Sequence, residues 1–435
     1  MFEAFQNIFK IPELKKRIFF SLAMLFVYRV GCHIPTPGID GVALSHFFKQ
    51  TQGTLLGLFD MFSGGALQRL SVFALGIMPY ISSSIIFQLL TVVIPSIEKL
   101  SKEGEAGRKK IIQYTRYGTV VLSVVQALGI SIGLEAMKGA GGELVVPNPG
   151  WSFRLLTVIT LTAGTVFIMW LGEQMSEKGI GNGISLIIFA GIIARIPSAL
   201  ANSYKLVQAG QLSPLILLFV VAVMFSAIIG IVFVERGQRR IPIHYAKRVV
   251  GLQTFGAQAS HLPLKINMAG VIPPIFASSI IMFPVTIAKF INVPWLNNVD
   301  KYFMPGNWAY DVIFVVFIVF FCYFYTAVTF NPVDVAENVK KHGGYIPGIR
   351  PGKETSDYLD SVLTKLTFAG AIYISVVCVL PSILIAKFNL PFYFGGTALL
   401  IAIGVGMDTV AQIESHLITR SYEGFMKGVR IQGRR

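Results

Sequence analysis

The chain has 435 residues, of which 54% are hydrophobic, 12% aromatic and only 14% charged. Soluble domains carry roughly 25% charged residues, so this composition, with a mean hydropathy of +0.65, excludes a large water-soluble core and points to a polytopic membrane protein. The net charge of +15 requires no nucleic acid to explain it: cytoplasmic loops of membrane proteins collect Lys and Arg, and no aromatic-plus-basic RNA-binding signature accompanies it.

The first element is KIPELKKRIFFSLAMLFVYRVG, a basic stretch followed by an apolar run. No small-residue cleavage site follows, so roughly residues 17–36 are read as a retained span rather than a signal peptide. Next comes LLGLFDMFSGGALQRL, Leu55 to Leu70, apolar but interrupted by Asp60 and by Gly64-Gly65. It is too short to cross a bilayer. By itself it reads equally well as a half-helix folded back at membrane depth or as an interfacial helix.

Further apolar runs of about 20 residues fall at roughly 68–94, 115–135, 152–172, 182–201, 212–234, 268–290, 309–330, 366–386 and 393–413. That makes about ten spans of an all-α polytopic protein. The connections after spans 2, 6 and 8 are long and basic: EKLSKEGEAGRKK, ERGQRRIPIHYAKR and NPVDVAENVKKHGGYIPGIRPGKETSDYLD. Those after spans 3, 5, 7 and 9 carry few charges. Placing the basic set in the cytoplasm puts both termini there as well. An even ten divides into an N-terminal half, 1–201, which includes segment 55–67, and a C-terminal half, 212–435. The second half holds cytoplasmic loops 235–267 and 331–365 and a basic tail. Five spans is an odd number, so the second half enters from the opposite side, as in inverted repeats that meet at a central pathway.

Several chemistries have no footing. There is no phosphate-binding GxxxxGK[ST], HExxH or Cys/His metal spacing, and the glycines of KGIGNGIS do not match GxGxxG. No cofactor is expected, and no catalytic constellation supports an enzyme. Cys32, Cys322 and Cys378 lie in apolar segments and read as small buried hydrophobes. Deep ionisable groups are few. Arg29 and Arg195 are expected as structural pairs or interface anchors rather than as a proton relay, and Asp408 lies in span 10. What the spans offer is isoleucine: Ile77 and Ile81, then Ile184 and Ile188, each pair on one helical face, with Ile275 and Ile401. A hydrophobic constriction of this kind gates by dewetting, although isoleucine in a membrane helix ordinarily packs against lipid or another helix.

MFSGGAL (61–67), GIMPYISSSII (76–86), EGEAGRKK (103–110), WLGEQ (170–174), EKGIGNGIS (177–185), VERGQRRIP (234–242), HLPLKINMAGVIP (261–273), YIPGIRPG (345–352) and PFYFGGTALLI (391–401) together resemble bacterial SecY, in order and over essentially the whole chain. That family forms the large subunit of a protein-conducting channel. The resemblance implies a pseudo-twofold clamshell of ten spans in the bacterial cytoplasmic membrane, with an hourglass pore between its halves. It makes the segment after span 1 a plug: Leu58, Phe59, Asp60, Met61, Phe62, Ser63, Gly64 and Gly65. It makes Ile77, Ile81, Ile184, Ile188, Ile275 and Ile401 a pore ring. A lateral gate is implied between spans 2 and 3 and spans 7 and 8, for which Ser82, Gln126 and Asn267 are the polar candidates. Ordinary helix–helix hydrogen bonding is the rival reading of those three.

The same resemblance assigns docking of the ATPase SecA, or of the ribosome with its RNA, to the two long basic loops. Arg236, Arg239, Arg240, Lys247, Arg248 and Arg350 are the candidate contacts. It further implies the small subunits SecE and SecG, secretory precursors bearing signal sequences, surrounding lipid, and SecDF or YidC as additional partners. One departure concerns Leu252-Gln253, where many bacterial relatives carry a further Arg pair, which bears on the strength of ribosome contact. A secondary transporter of small solutes is the alternative from another class.

Overall fold

The computed structural model describes residues 11–41, 44, 60, 63–136, 144–210, 213–245, 248–250, 253–255, 259–291, 307–388 and 396–428. Leu58, Phe59, Met61, Phe62, Lys247 and Leu252 lie outside the described residues.

Helices make up most of the molecule. In chain order they are α1 (Pro12–Gly31), α2 (Met78–Val93), α3 (Pro95–Lys102), α4 (Glu105–Ala136), α5 (Trp151–Lys178), α6 (Gly183–Ile193), α7 (Ile196–Gln208), α8 (Pro214–Arg236), α9 (Ile272–Ile291), α10 (Trp308–Thr329), α11 (Pro332–Lys341), α12 (Lys353–Phe388) and α13 (Gly396–Gly428). Among the described residues, seven helical segments are long and apolar enough to cross a membrane, or eight if α2 and α3, bent by 100° at their junction, form one span. The expected ten is therefore approximate. By the same criterion α1 carries too many charges (Lys15, Lys16, Arg17 and Arg29), and only Ile272–Ile281 of α9 counts, as a shorter apolar helix.

Element boundaries follow local chemistry. The expected second span, 68–94, is helical only from Met78; residues 63–70 and 72–77 are consecutive turns. Leu70 and Gly76 lie in the left-handed region, at φ 37° and 58°, which no α-helix accommodates. α2 starts only at Met78, with Pro79 in its first turn. Ile94 ends it in extended backbone ahead of Pro95, as a residue before proline prefers. Asn182 caps α6, its side-chain oxygen accepting from the backbone N–H of Ile184 and Ser185 at 3.1 and 3.4 Å. Arg195 interrupts the fifth span between α6 and α7, just ahead of Pro197.

One apolar core joins helices from both ends of the chain, with Tyr28, Leu67, Ile81, Ile130 and Ile168 in the same cluster as Phe276, Ile318, Ile374 and Ile401. Across it α9 packs on α2 and α4, and α13 packs on α6. Cys32, Cys322 and Cys378 are buried. By contrast α8 is buried within the chain only at Val220 and Ile231, presenting the rest of its apolar surface outward.

Strands occur where the two long basic loops lie. β1 (Gln238–Tyr245) pairs antiparallel with β4 (Ala259–Lys265), Gln238 opposite Lys265, and with β5 (Gly344–Tyr345), His244 opposite Tyr345. β2 (Arg248–Val250) and β3 (Gln253–Phe255) form a separate hairpin. The loops after spans 6 and 8 therefore share one three-stranded sheet, ordered β4-β1-β5. A small core of Ile241, Leu264, Ala336, Ile346, Leu359 and Val362 fastens it to α11 and α12.

Candidate functional site

The isoleucines are distributed over four helical segments. Ile77 sits at the cap of α2 and Ile81 in its first turn, where the N–H of Ile81 donates to the carbonyl of Ile77 at 3.1 Å. Ile184 and Ile188 stand on α6, Ile275 on α9 and Ile401 on α13. All six join one apolar cluster. Ile401, Ile77, Ile188 and Ile81 are 0, 1, 2 and 7% exposed, and Ile184 and Ile275 are half-buried. Aliphatic side chains in such a core offer an ion nothing to replace the water it would have to shed.

The segment from Asp60 to Leu70 lies in the same core, through Ala66, Leu67 and Leu70. It is held from two sides. From α1, the hydroxyl of Tyr28 donates to the carbonyl of Ser63 at 3.2 Å, and Arg29 Nη1 donates to the carbonyl of Gly64 at 3.1 Å. From the junction of α6 and α7, Arg195 forms an ion pair with the Asp60 carboxylate. The other carboxylate oxygen of Asp60 accepts from the N–H of Gln68 at 2.8 Å. Gly64 has φ +66°, and a Cβ there would lie 2.9 Å from the Cα of Gly191 on α6. Both the backbone angle and the close approach require glycine. An antiparallel bridge between Pro35 and Ser71 ties the following residues to the end of α1. Arg29 and Arg195 thus act as anchors, and both hold the same segment.

The gate candidates occupy different positions. Ser82 is half-buried on α2. Gln126 on α4 has its side-chain oxygen buried with no hydrogen-bond partner among the described residues. Asn267 is 3% exposed and bonds within its own half: Nδ2 donates to Glu235 Oε1 at 2.6 Å and to the carbonyl of Gly270 at 3.1 Å, and Oδ1 accepts from Gly270 N–H at 3.0 Å. It therefore joins the end of α8 to the start of α9. Neighbouring Ser83 fastens α2 to α4 through the carbonyl of Thr115 at 2.8 Å.

In and beside the two long basic loops Arg236, Arg239, Arg240 and Arg350 are exposed, and none of the four enters an ion pair among the described residues. Arg236 ends α8 and Arg239 and Arg240 lie on β1. The carbonyl of Arg350 accepts from Thr355 Oγ1 at 2.8 Å ahead of α12. Arg248 pairs through its backbone with Phe255. Among the described residues no group of three or more His, Cys, Asp or Glu comes together as a metal site.

Sequence reasoning missed two features. Tyr28 carried no signal beyond its position beside Arg29. The Asp60–Arg195 pair, 135 residues apart, lies beyond any local pattern, although two isolated charges of opposite sign in apolar surroundings were a hint.

A bundle of long apolar helices beside a small sheet whose first strand carries exposed arginines defines a polytopic membrane protein. Comparison with known proteins gives its family. The SecY sequence profile matches residues 71–410. Protein translocase subunit SecY of Escherichia coli strain K12 is 51% identical over 427 residues, covering 97% of this chain and 96% of that protein. The SecY subunit of Aquifex aeolicus strain VF5 is 48% identical over 428 residues, covering 98% of this chain and 100% of its own. The chain belongs to the SecY family. In fold it is similar to a solved protein-conducting channel, with a TM-score of 0.65 at 17% identity, covering 95% of this chain and 97% of that one. It is also similar to Sec61 in a canine ribosome–channel complex, with a TM-score of 0.64 at 16% identity and the same coverage.

Proposed function

We propose that this chain is the pore-forming subunit of the channel that moves unfolded secretory polypeptides across the bacterial cytoplasmic membrane and releases membrane segments sideways into lipid. The observation that carries this reading is that six isoleucines from α2, α6, α9 and α13 share one extended apolar core with Ala66, Leu67 and Leu70 of the segment that follows Asp60. The shared membership in the SecY family gives the cluster its meaning.

The mechanism follows from the contacts. Residues 1–201 and 212–435 act as the two halves of a clamshell, closed at its front where α9 meets α2 and α4. Ser82 and Gln126 lie on that side, and the unpaired oxygen of Gln126 offers an entering signal sequence an acceptor at little cost. Polar contacts between membrane helices average about 0.6 kcal/mol, weak enough to part and re-form. As the front opens, the segment from Asp60 to Gly65 leaves its seat and the chain passes through Ile77, Ile81, Ile184, Ile188, Ile275 and Ile401. Aliphatic side chains carry no fixed chemistry, so they close around any sequence while resisting hydrated ions.

Energy comes from outside. SecA or the ribosome docks on the face formed by Arg239 and Arg240 on β1, Arg236 at the end of α8, Arg350 ahead of α12 and Arg248 on β2, together with Lys247. SecE and SecG hold the two halves together in the membrane. Both termini face the cytoplasm. A solute transporter coupled to protons would need titratable groups deep in the bundle, but Arg29 and Arg195 hold the plug segment.

A photocrosslinking probe at Ile401, with a control at Ile228 on α8, tests the reading against a precursor stalled during export. An adduct at Ile401 and none at Ile228 is the expected result. Failure to form an adduct at Ile401 in a preparation that still exports would overturn it.

A further inference from the structure

We propose that Asp60 and Arg195 form a hydration-sensitive catch that keeps the plug seated, with Arg195 a positioning residue of the channel; this rests on the channel reading above. Three observations carry it. First, Asp60 is 2% exposed and divides its carboxylate between two tasks. One oxygen faces Arg195, and the other accepts from Gln68 N–H at 2.8 Å. Its own carbonyl accepts from the N–H of Gly65 and the hydroxyl of Ser63, both at 3.0 Å. The carboxylate thus orders the plug segment and fastens it to the channel wall at once.

Second, Ile184, Ile188, Gly191 and Arg195 follow one another at spacings of four, three and four residues, which places them on one stripe of a helix. Ala194 and Arg195 keep right-handed helical backbone angles across the break. The stripe runs from the pore ring, through the glycine that the plug backbone touches, to the guanidinium that holds its carboxylate. Third, the remaining holds on the plug are different in kind. Tyr28 and Arg29 donate to backbone carbonyls of Ser63 and Gly64, acceptors that water replaces at little loss. The ion pair alone sets two opposite charges against each other.

A charge pair of this kind is strong while dry and weak once wet, because Coulombic attraction falls with the local dielectric. While the funnel is closed, separating the pair strands the buried Asp60 carboxylate in apolar surroundings, which is strongly unfavourable, and leaves the partly exposed Arg195 without its partner. When an entering chain parts the helices and admits water, both charges hydrate and the catch loosens. The plug is therefore locked by dryness and freed by the opening itself.

The experiment measures ion current through the assembled channel in planar bilayers, as the ratio of resting to precursor-opened conductance. The variants are Asp60→Asn, Arg195→Gln, their double and Arg195→Lys. Glu135→Gln serves as a control, because it breaks an ion pair with Arg154 between α4 and α5, away from the ring. The expected result is a rise of about tenfold or more in the ratio for either single change, since each leaves one charge unpaired. The double should rise no further than the worse single, which is the signature of two residues acting as one unit. Arg195→Lys should stay near the parent, and Glu135→Gln should not move. Additive singles, or a control that leaks as much as Asp60→Asn, would overturn the catch. Unchanged ratios in all variants with normal precursor-opened current would overturn it while leaving the channel intact. Absence of current from every protein, with precursor or without, would overturn the channel reading and the catch together.

Discussion

Arg195 and Arg350 carry the same guanidinium into opposite surroundings. Arg195 stands beside an apolar core and faces the buried carboxylate of Asp60. Arg350 stands beside a small sheet, exposed and outside every ion pair among the described residues. Within the membrane an unpaired charge is costly, so Arg29 and Arg195 are committed to the protein itself. In water an unpaired charge costs little, and Arg236, Arg239, Arg240 and Arg350 remain available to a partner. The same residue type thus closes the molecule in one region and leaves it receptive in the other.

The comparison is open to experiment at several points. If the embedded region must part, a disulfide between facing cysteines on α2 and α9 should drop export to background and restore it on reduction; export that continues with the link formed would break the argument. If the cytoplasmic region works by offered charge, Arg350→Glu should lower protease-protected precursor in inverted vesicles by about tenfold or more while membrane levels of the protein stay normal. Ribosome binding to the same surface should weaken as salt rises, because phosphate contacts release counterions. If the six isoleucines line the pore, replacing one of them with serine should raise ion leak through precursor-engaged channels several-fold, for a barrier lowered by roughly 1 kcal/mol. The smallest effect belongs to the joint between the regions. Asn267→Ala leaves Glu235 and Gly270 without their partners and should cost about 1–3 kcal/mol of stability, visible in thermal unfolding of the purified complex.

The sequence made the embedded region legible and the cytoplasmic one much less so. A run of apolar residues is a local signal, and lipid leaves helices few alternatives, so spans such as 152–172 and 309–330 have helices at the expected places. Their extent was less visible. α4 starts at Glu105 rather than near 115, α12 at Lys353 rather than near 366, and α13 runs to Gly428 rather than 413. Hydropathy marks only the lipid-embedded part, and helix-favouring Glu, Lys and Ala continue the helix into water unseen. The turns between Ser63 and Ile77 escaped for the opposite reason: they are as apolar as a span, yet Leu70 and Gly76 have left-handed backbones. The six isoleucines were legible through their family pattern. The Asp60–Arg195 contact and the pairing of β1 with β5 were not, because each joins segments far apart in the chain.

That last pairing has a consequence for how the protein is made. β1 finds part of its sheet only in β5, Tyr245 opposite Gly344, and the small core beneath depends on Ala336, Ile346 and Leu359. During synthesis β1 emerges two spans before β5 exists. A half-made copy therefore lacks its finished platform, and only a chain synthesised past its eighth span presents one. Completion of the sheet is timed by elongation, and it closes only after both loops have been synthesised.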